Sequence, residues 1–401
     1  NLTKFEYPIK TEINSKCEQL GLIHFKKNIY NVLINCPDIE FVDLIENGVK
    51  TKYLILEITQ IDEFISLYKI SANNDIKNFI VVKDNKDDDI SISIECSENM
   101  IVPKEKDQES LFTVFPLAGS SAHVLPFSIN CNYFEPTTER NALILDGEEF
   151  IQGEITKVGI NRRILINTIP LFSKLVCYLI SNEFSNIYEL TTGFIITQPP
   201  YSSFDIKWYN EQFLNDLKDV FSSNVKVTNA NNEEILLKDA FIPQNEIKDE
   251  FVQEFISLSK QYYPNMISTK DCLIWRKRLW RTLNFVKIED CIDIVQKDQS
   301  VIEDENLDFL NRFISFIFRY KKELLESYDL IPDMNNDFHC IKKIKKCTKV
   351  PDTIIKIMQD ISIPWKSTHM SKRIKNIFGD EIQEDKINDA ESIIINTIKK
   401  K

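Results

Sequence analysis

Glycine is scarce in this chain: eight in 401 residues, at positions 21, 48, 119, 147, 153, 159, 193 and 379. No two stand close enough to build a phosphate-cradling loop, because backbone N–H groups approach phosphate closely only where neighbouring positions lack a Cβ. A P-loop and a dinucleotide fingerprint are thereby excluded. Histidine is scarcer still, at 24, 123, 339 and 369 only, which leaves few candidates for a general base. The nine cysteines contain no Cys-x-x-Cys pair, no uninterrupted apolar run approaches the roughly 18 residues of a membrane span, and no signal peptide is visible. An odd number of scattered cysteines points to reduced, mostly buried thiols and a cytoplasmic protein with no membrane partner.

Acid is in excess. Lys and Arg total 49 against 61 Asp and Glu, a net charge of −12, which opposes general binding to nucleic acid or anionic membranes. A hydrophobic content of 43% suffices for two or three cores.

Hydrophobic periodicity divides the chain. Residues 1–148 read as mixed helix and strand. A helix near 22–35 stops at Cys36-Pro37, and Asn47-Gly48 joins a strand over 39–45 to one over 53–58. A second hairpin pairs 79–82 with 90–96, where Ile90, Ile92 and Ile94 alternate with serines around the charged turn 84–89. Three adjacent aspartates in that turn lack the glycine and glutamate of a calcium loop. From about 150 the period becomes helical. Leu165, Ile169, Phe172, Val176 and Leu179 share one face, with Pro170 expected to kink or divide the helix. Phe213–Phe221 and 247–261 predict further helices, separated by a hairpin of 225–227 with 235–237. A long helix over 310–324 stops before Pro332, and the remainder reads as helical and charged. The expectation is therefore α/β: a mixed-sheet domain over 1–148, a helical region with a hairpin over 149–302, and a helical region over 303–401.

The densest information lies in Leu111–Leu145, LFTVFPLAGSSAHVLPFSINCNYFEPTTERNALIL. Phe112, Val114 and Leu117 surround Pro116, and Leu125, Phe127 and Ile129 alternate as a half-buried strand does. These two strands deliver Thr137-Thr138-Glu139-Arg140 to a fixed place. Phe115-Pro116-Leu117, Ser128-Ile129-Asn130 and Glu139-Arg140-Asn141 resemble the segment that follows the nucleotide domain in sacsin-like, heat-shock-90-type (GHKL) ATP-binding proteins. Lys238–Pro243 resembles that family's strand closing on proline, and Leu330–Phe338 (LIPDMNNDF) its isoleucine-proline-asparagine-x-asparagine-glycine-x-phenylalanine signature. Two departures are present: Asp333 where asparagine is usual and Asn336 where glycine is usual.

The resemblance implies a middle, transducing segment of an ATPase in a chaperone-like or antiviral, phage-defence protein. ATP and Mg would be held by an upstream domain carrying the glycine loops missing here. A start at Asn1 without an initiator methionine suits such a segment. Arg140 would reach the γ-phosphate, since its planar fork pairs bidentately with phosphate oxygens and stays protonated. Glu139 would hold it ready by a salt bridge; the alternative is that both residues cap the following helix. Partners would be the upstream domain, protein clients and a second copy of the chain.

Rival chemistries are weaker. His123 lies near Ser120 and Ser121, but no Gly-x-Ser-x-Gly elbow accompanies it. Asp146, Glu154 and Lys157 resemble a restriction-type nuclease core with one residue too many between acid and lysine. His339, Cys340 and Cys347 lack a fourth zinc ligand, so no metal site is expected. Two cationic clusters, Trp275–Arg281 with Arg276, Lys277 and Arg278, and 342–349 with Lys342, Lys343, Lys345 and Lys346, support a nucleic-acid-binding module. Trp275, Leu279 and Trp280 equally suit the core-facing side of a helix. A non-catalytic interaction scaffold is the other alternative.

Overall fold

A computed structural model describes residues 12–84, 89–105, 107–191, 196, 198–278 and 283–400. The chain packs as two compact units, one formed up to Lys226 with Leu236–Lys238 and Arg278, the other by Val227–Ile235, Asp239–Lys277 and Leu283 onward.

The first unit opens with α1 (Glu12–Asn35), which buries Ile29, Val32 and Leu33 beside Phe25. It ends there because the residue before Pro37 avoids helical backbone. Next come β1 (Phe41–Glu46), β2 (Val49–Gln60), β3 (Ile65–Ala72), β4 (Asp75–Asp84), β5 (Ile90–Ser97), β6 (Met100–Ile101), β7 (Leu111–Thr113), β8 (Phe115–Pro116) and β9 (Ser128–Asn130). The sheet order is β1-β2-β3-β4-β5-β9-β7-β8, with β6 added to β5. All neighbours are antiparallel except β7 and β9, whose parallel pairing makes the sheet mixed. This is the expected α/β class. Asn47 and Gly48, at φ 51° and 79°, form the two-residue turn whose twist matches its strands.

Between β5 and α1 the serines are not solvent-facing. Phe79 and Val81 pack on Ile29, Tyr30 and Leu33 of α1, and on the same face Ser93 Oγ donates to Asn31 Oδ1 at 2.8 Å. Ile80, Val82, Ile92 and Ile94 point the other way and are buried too. The centre of the sheet is therefore covered on both sides.

The second cover is helical. After the small hairpin β10 (Phe150–Ile151) and β11 (Glu154–Ile155), α2 (Lys157–Ser181) packs on β4 and β5, with Phe172 5.2 Å from Phe127. Pro170 neither ends nor divides α2. It lies on the exposed side, where water can serve the carbonyl deprived of its donor. By length and composition α2 could cross a membrane; here it packs between the sheet and α4. A three-residue α3 (Ile206–Trp208), a π-helical turn (Tyr209–Leu214) and α4 (Asn215–Asn224) continue one into the next. The expected hairpin follows as β12 (Lys226–Thr228) and β13 (Glu234–Leu236).

The second unit is mainly helical. Its elements are β14 (Phe241–Pro243), α5 (Asp249–Ser259), α6 (Thr269–Trp275), β15 (Asn284–Val286), α7 (Ile288–Lys297), α8 (Leu307–Tyr320), α9 (Glu323–Ser327), β16 (Ile331–Pro332), β17 (Phe338–His339), α10 (Asp352–Asp360) and α11 (Ile387–Lys400). β14 and β15 are parallel, and α5 packs on α6 and α8. The C-terminal stretch departs from the helical expectation: most of 361–386 is irregular. Cross-chain backbone bonds hold it, among them Lys345 N–H to Thr368 O, Met370 N–H to Lys345 O and Lys346 N–H to Gln383 O. They surround a core of Cys347, Val350, Met358 and Trp365.

One glycine is sterically required. A Cβ at Gly159, in the first turn of α2, would lie 2.5 Å from Glu149 O and 2.8 Å from Ile155 Cγ1. Gly159→Ala is therefore expected to lower stability by about 1–3 kcal/mol, read as a lower urea midpoint. A midpoint at or above that of the parent protein would show that the β10–β11 hairpin yields freely.

Candidate functional site

Arg140 sits on a short loop pinned at both ends. Pro136 and Leu143 pair as an isolated bridge, Thr137 N–H donates to Ala142 O, and Arg140 N–H donates back to Thr137 O, each at 2.9 Å. Ala142 and Leu143 are buried and anchor the loop. The Arg140 backbone is left-handed, at φ 53°, which costs a non-glycine residue on the order of 1 kcal/mol. Its side chain is exposed and donates from Nη2 to Thr113 Oγ1 at 2.6 Å, at the end of β7. Among the described residues no carboxylate pairs with it, Glu139 included. Most of its N–H fork is therefore open to solvent. Neither residue caps a helix, because the next helix is α2, capped by Thr156, whose Oγ1 accepts from Gly159 N–H at 3.2 Å.

Arg162 provides the contrast within the same unit. Its Nε and Nη2 donate to Leu145 O at 3.2 and 2.8 Å, and it pairs with Glu149 at 3.1 Å and Asp205 at 2.7 Å. It also lies over the Trp208 ring. That arginine is fully employed in structure; Arg140 is not.

Beneath the Arg140 loop lies a buried polar network. Glu109 is 2% exposed. Its Oε1 accepts from Gly119 N–H at 2.9 Å, and its Oε2 from Ser120 Oγ–H at 3.0 Å and Ser121 N–H at 2.7 Å. Ser120 Oγ in turn accepts from Ser110 N–H and Leu111 N–H at 3.1 and 3.0 Å, tying the 120–123 turn to β7. Gly119, at φ 89°, approaches the Arg140 loop so closely that a Cβ would lie 3.2 Å from Asn141 O. The carboxylate thus organises the ground on which the arginine loop rests.

Two bases adjoin the network, a partly buried lysine and a buried histidine. Lys104 Nζ donates to Ser110 Oγ at 2.5 Å; burial pushes its pKa down to about 7, with Glu109 opposing the shift. His123 is enclosed by Tyr201, Phe204 and Tyr209, with Nε2 3.0 Å from Tyr201 OH and its carbonyl accepting from Tyr209 OH at 3.1 Å. Burial, then the Lys104 charge, lowers its pKa to about 3, so the ring is neutral. Ser120 is engaged with Glu109 and not with His123, so no serine–histidine pair forms. Sequence reasoning missed Glu109, Lys104, Tyr201 and Tyr209 because their partners lie 6 to 86 residues away. A carboxylate directly before a solidly apolar strand was the one local signal.

The other candidates disperse. Asp146 N–H is bonded to Ser203 O, Glu154 lies exposed in β11, and Lys157 pairs with Glu135, so no nuclease-like cluster forms. His339 Nε2 is 3.0 Å from Asp333 Oδ2, while Cys340 and Cys347 are buried. Among the described residues no three potential metal ligands converge.

Every cation named for nucleic acid is engaged with its own chain. Arg276 is buried, donating to Ile247 O at 2.5 Å and pairing with Asp249, which Lys277 also meets at 2.7 Å. These two, Lys277 foremost, hold the Asp249 carboxyl below its ordinary range. Arg278 lies over the Tyr188 ring at 4.4 Å. Helix α6 ends at the buried Trp275, and Leu279, Trp280 and Arg281 fall outside the described residues. Lys342 pairs with Glu326 at 2.6 Å, Lys343 with Asp329 at 3.5 Å and Lys345 with Asp385 at 3.1 Å. Lys346 is buried, its ammonium bonded to Gly379 O.

The two departures in 330–338 have physical roles in the β16–β17 hairpin. Asp333 Oδ1 accepts from Asn335 N–H at 2.7 Å and Asp337 N–H at 3.0 Å, as an asparagine oxygen can, while Oδ2 holds His339. Asn336 is left-handed at φ 73°, a conformation asparagine tolerates better than most residues. Compared with protein-family models, with curated proteins and with solved structures, the chain matches none of them.

The Lys104 shift sets a pH dependence. Its folded pKa of about 7 is below its ordinary 10.5, so the unfolded chain holds the extra proton between those values. The stability linked to Lys104 is complete above this window and is lost as pH falls through it, by at most about 1.4 kcal/mol per pH unit. Lys104→Met should flatten the rise in urea midpoint between pH 7 and 10; an unchanged profile would assign that rise to other groups.

Proposed function

We propose that this chain is the transducing segment of a heat-shock-90-like, sacsin-like ATPase. In this reading a preceding domain holds ATP and Mg, and Arg140 meets the γ-phosphate across the domain boundary. The observation that carries it is the state of Arg140: exposed, paired with no carboxylate among the described residues, on an anchored loop and steadied by Thr113. A guanidinium so placed can neutralise charge gathering on the transferred phosphoryl group while losing little entropy on engagement. Pull on Arg140 would be felt by β7 through Thr113 and by the Glu109 network through the Gly119 contact. Glu139 would act as a neighbour that tunes the loop, since no ion pair joins it to Arg140. A cytoplasmic chaperone-like or phage-defence role follows from the same reading, with clients bound elsewhere on the chain.

An interaction scaffold without nucleotide chemistry is the second reading. It is favoured by the apolar side chains Phe41, Ile45 and Val49, exposed along the first hairpin where β1 forms the sheet edge. Nucleic-acid binding has less support, because its seven cations are already engaged.

ATP hydrolysis by the full-length protein separates these readings. Arg140→Ala is expected to lower kcat by about 100-fold or more, in line with other phosphate-sensing arginines, with KM changed little and Arg140→Lys intermediate. An unchanged kcat removes Arg140 from the mechanism, and absence of any ATP hydrolysis leaves the scaffold.

A further inference from the structure

We propose that the groove between α1 and the β7–β8 hairpin binds a small amphiphilic amine, with its ammonium on Glu109 and its hydrocarbon body along the apolar wall. This does not rest on the Arg140 reading. The groove has a volume of about 670 Å³, within the roughly 300–1,000 Å³ of small-molecule sites. Its walls are chiefly hydrocarbon: Phe25, Ile29 and Val32 from α1, Val42 from β1, and Phe115 and Pro116 from β8. Phe115 is 57% exposed, an aromatic ring left uncovered at the rim. Gly21 also lines the groove, and a Cβ there would meet nothing within 4 Å. A glycine inside a helix costs about 0.5–1 kcal/mol against alanine, and at this position its effect is to keep the groove wall low.

Charge selects the ligand class. Among the described residues lining the groove, Glu109 is the one carboxylate. Its Oε2 accepts two hydrogen bonds, whereas among the described residues its Oε1 accepts that of Gly119 N–H alone, and a carboxylate oxygen has two lone pairs. The closest histidine nitrogen, His24 Nδ1, is 3.9 Å away on a side chain that is 46% exposed. Lys104, which does not line the groove, has its pKa lowered by burial to about 7. The groove therefore presents an under-compensated negative charge beside hydrocarbon. A primary ammonium supplies three donors and the missing charge, a neutral alcohol supplies neither in full, and a carboxylate is repelled.

Isothermal titration of the full chain with octylamine, octanol and octanoate tests this. Octylamine is expected to bind at least about tenfold more tightly than octanol, and octanoate not at all. Gly21→Phe, which fills the groove without touching Glu109, should weaken octylamine by a similar factor while leaving the circular dichroism spectrum unchanged. Glu109→Gln should erase the preference for amine over alcohol; should it fail to fold, Gly21→Phe carries the test. No octylamine binding, equal affinities for octylamine and octanol, or full affinity in Gly21→Phe would each overturn the assignment.

Discussion

The functional end of the first unit depends on one buried carboxylate. A charge removed from water is tolerated only when donors replace its hydration, and Glu109 obtains three from a single turn: Gly119 N–H, Ser120 Oγ–H and Ser121 N–H. Ser120 passes the constraint on to β7 through two backbone N–H groups. The turn cannot drift without leaving the charge uncompensated, and the Arg140 loop packs against that turn at Gly119. A site that must hold one guanidinium steady thus rests on a network far stiffer than its own exposed loop. The same carboxylate faces the α1 groove, so one residue underlies both the proposed phosphate sensor and the proposed amine site.

Legibility in the sequence tracked how local each cause was. The Cys36-Pro37 stop and the Asn47-Gly48 turn act over two residues and were readable. β3, over Ile65–Ala72, carries no glycine turn signal, because its turn to β4 uses Asn73 at φ 56°. Having so few glycines, the chain places other residues in left-handed backbone, with Asn47, Asn73, Asn232 and Asn336 among them. Turn signals built on glycine therefore under-read it. The irregular stretch near 361–386 escaped for another reason: its order comes from hydrogen bonds to Lys345 and Lys346, and no periodicity records a partner that distant. Around the candidate site, the strand pairing of 111–116 and 128–130 has a local signal, whereas the Glu109 network does not, since its partners lie beyond the reach of a pattern.

The cationic clusters show how linear charge density misleads. Nine lysines and arginines in two short runs look like a phosphate-binding strip, yet seven of them meet a carboxylate, carbonyl or ring of their own chain. Exposed pairs such as Lys342–Glu326 contribute little to stability. They nevertheless cancel the field that would draw in a polyanion. Arg276 and Lys346 go further: both are interior, and their role is to satisfy carbonyls that loops leave unpaired.

Among the described residues Arg140 and Arg312 each meet a hydroxyl and no carboxylate, and of the two only Arg140 has a left-handed backbone. Arg162 and Arg140 lie in the same unit, and Arg162 has two carboxylates, a carbonyl and a ring while Arg140 has one hydroxyl and a left-handed backbone. Arg162 meets its partners because they arrive on neighbouring elements of its own fold. Arg140 is aimed outward by a loop that carries backbone strain, steadied by its bonds to Thr137 and Thr113 and by no carboxylate among the described residues. Strain persists where the surroundings over-determine it, and here those surroundings are the Pro136–Leu143 bridge and the Gly119 contact. An external anion could offset the cost, converting a small local penalty into selectivity for a partner that brings negative charge to that spot.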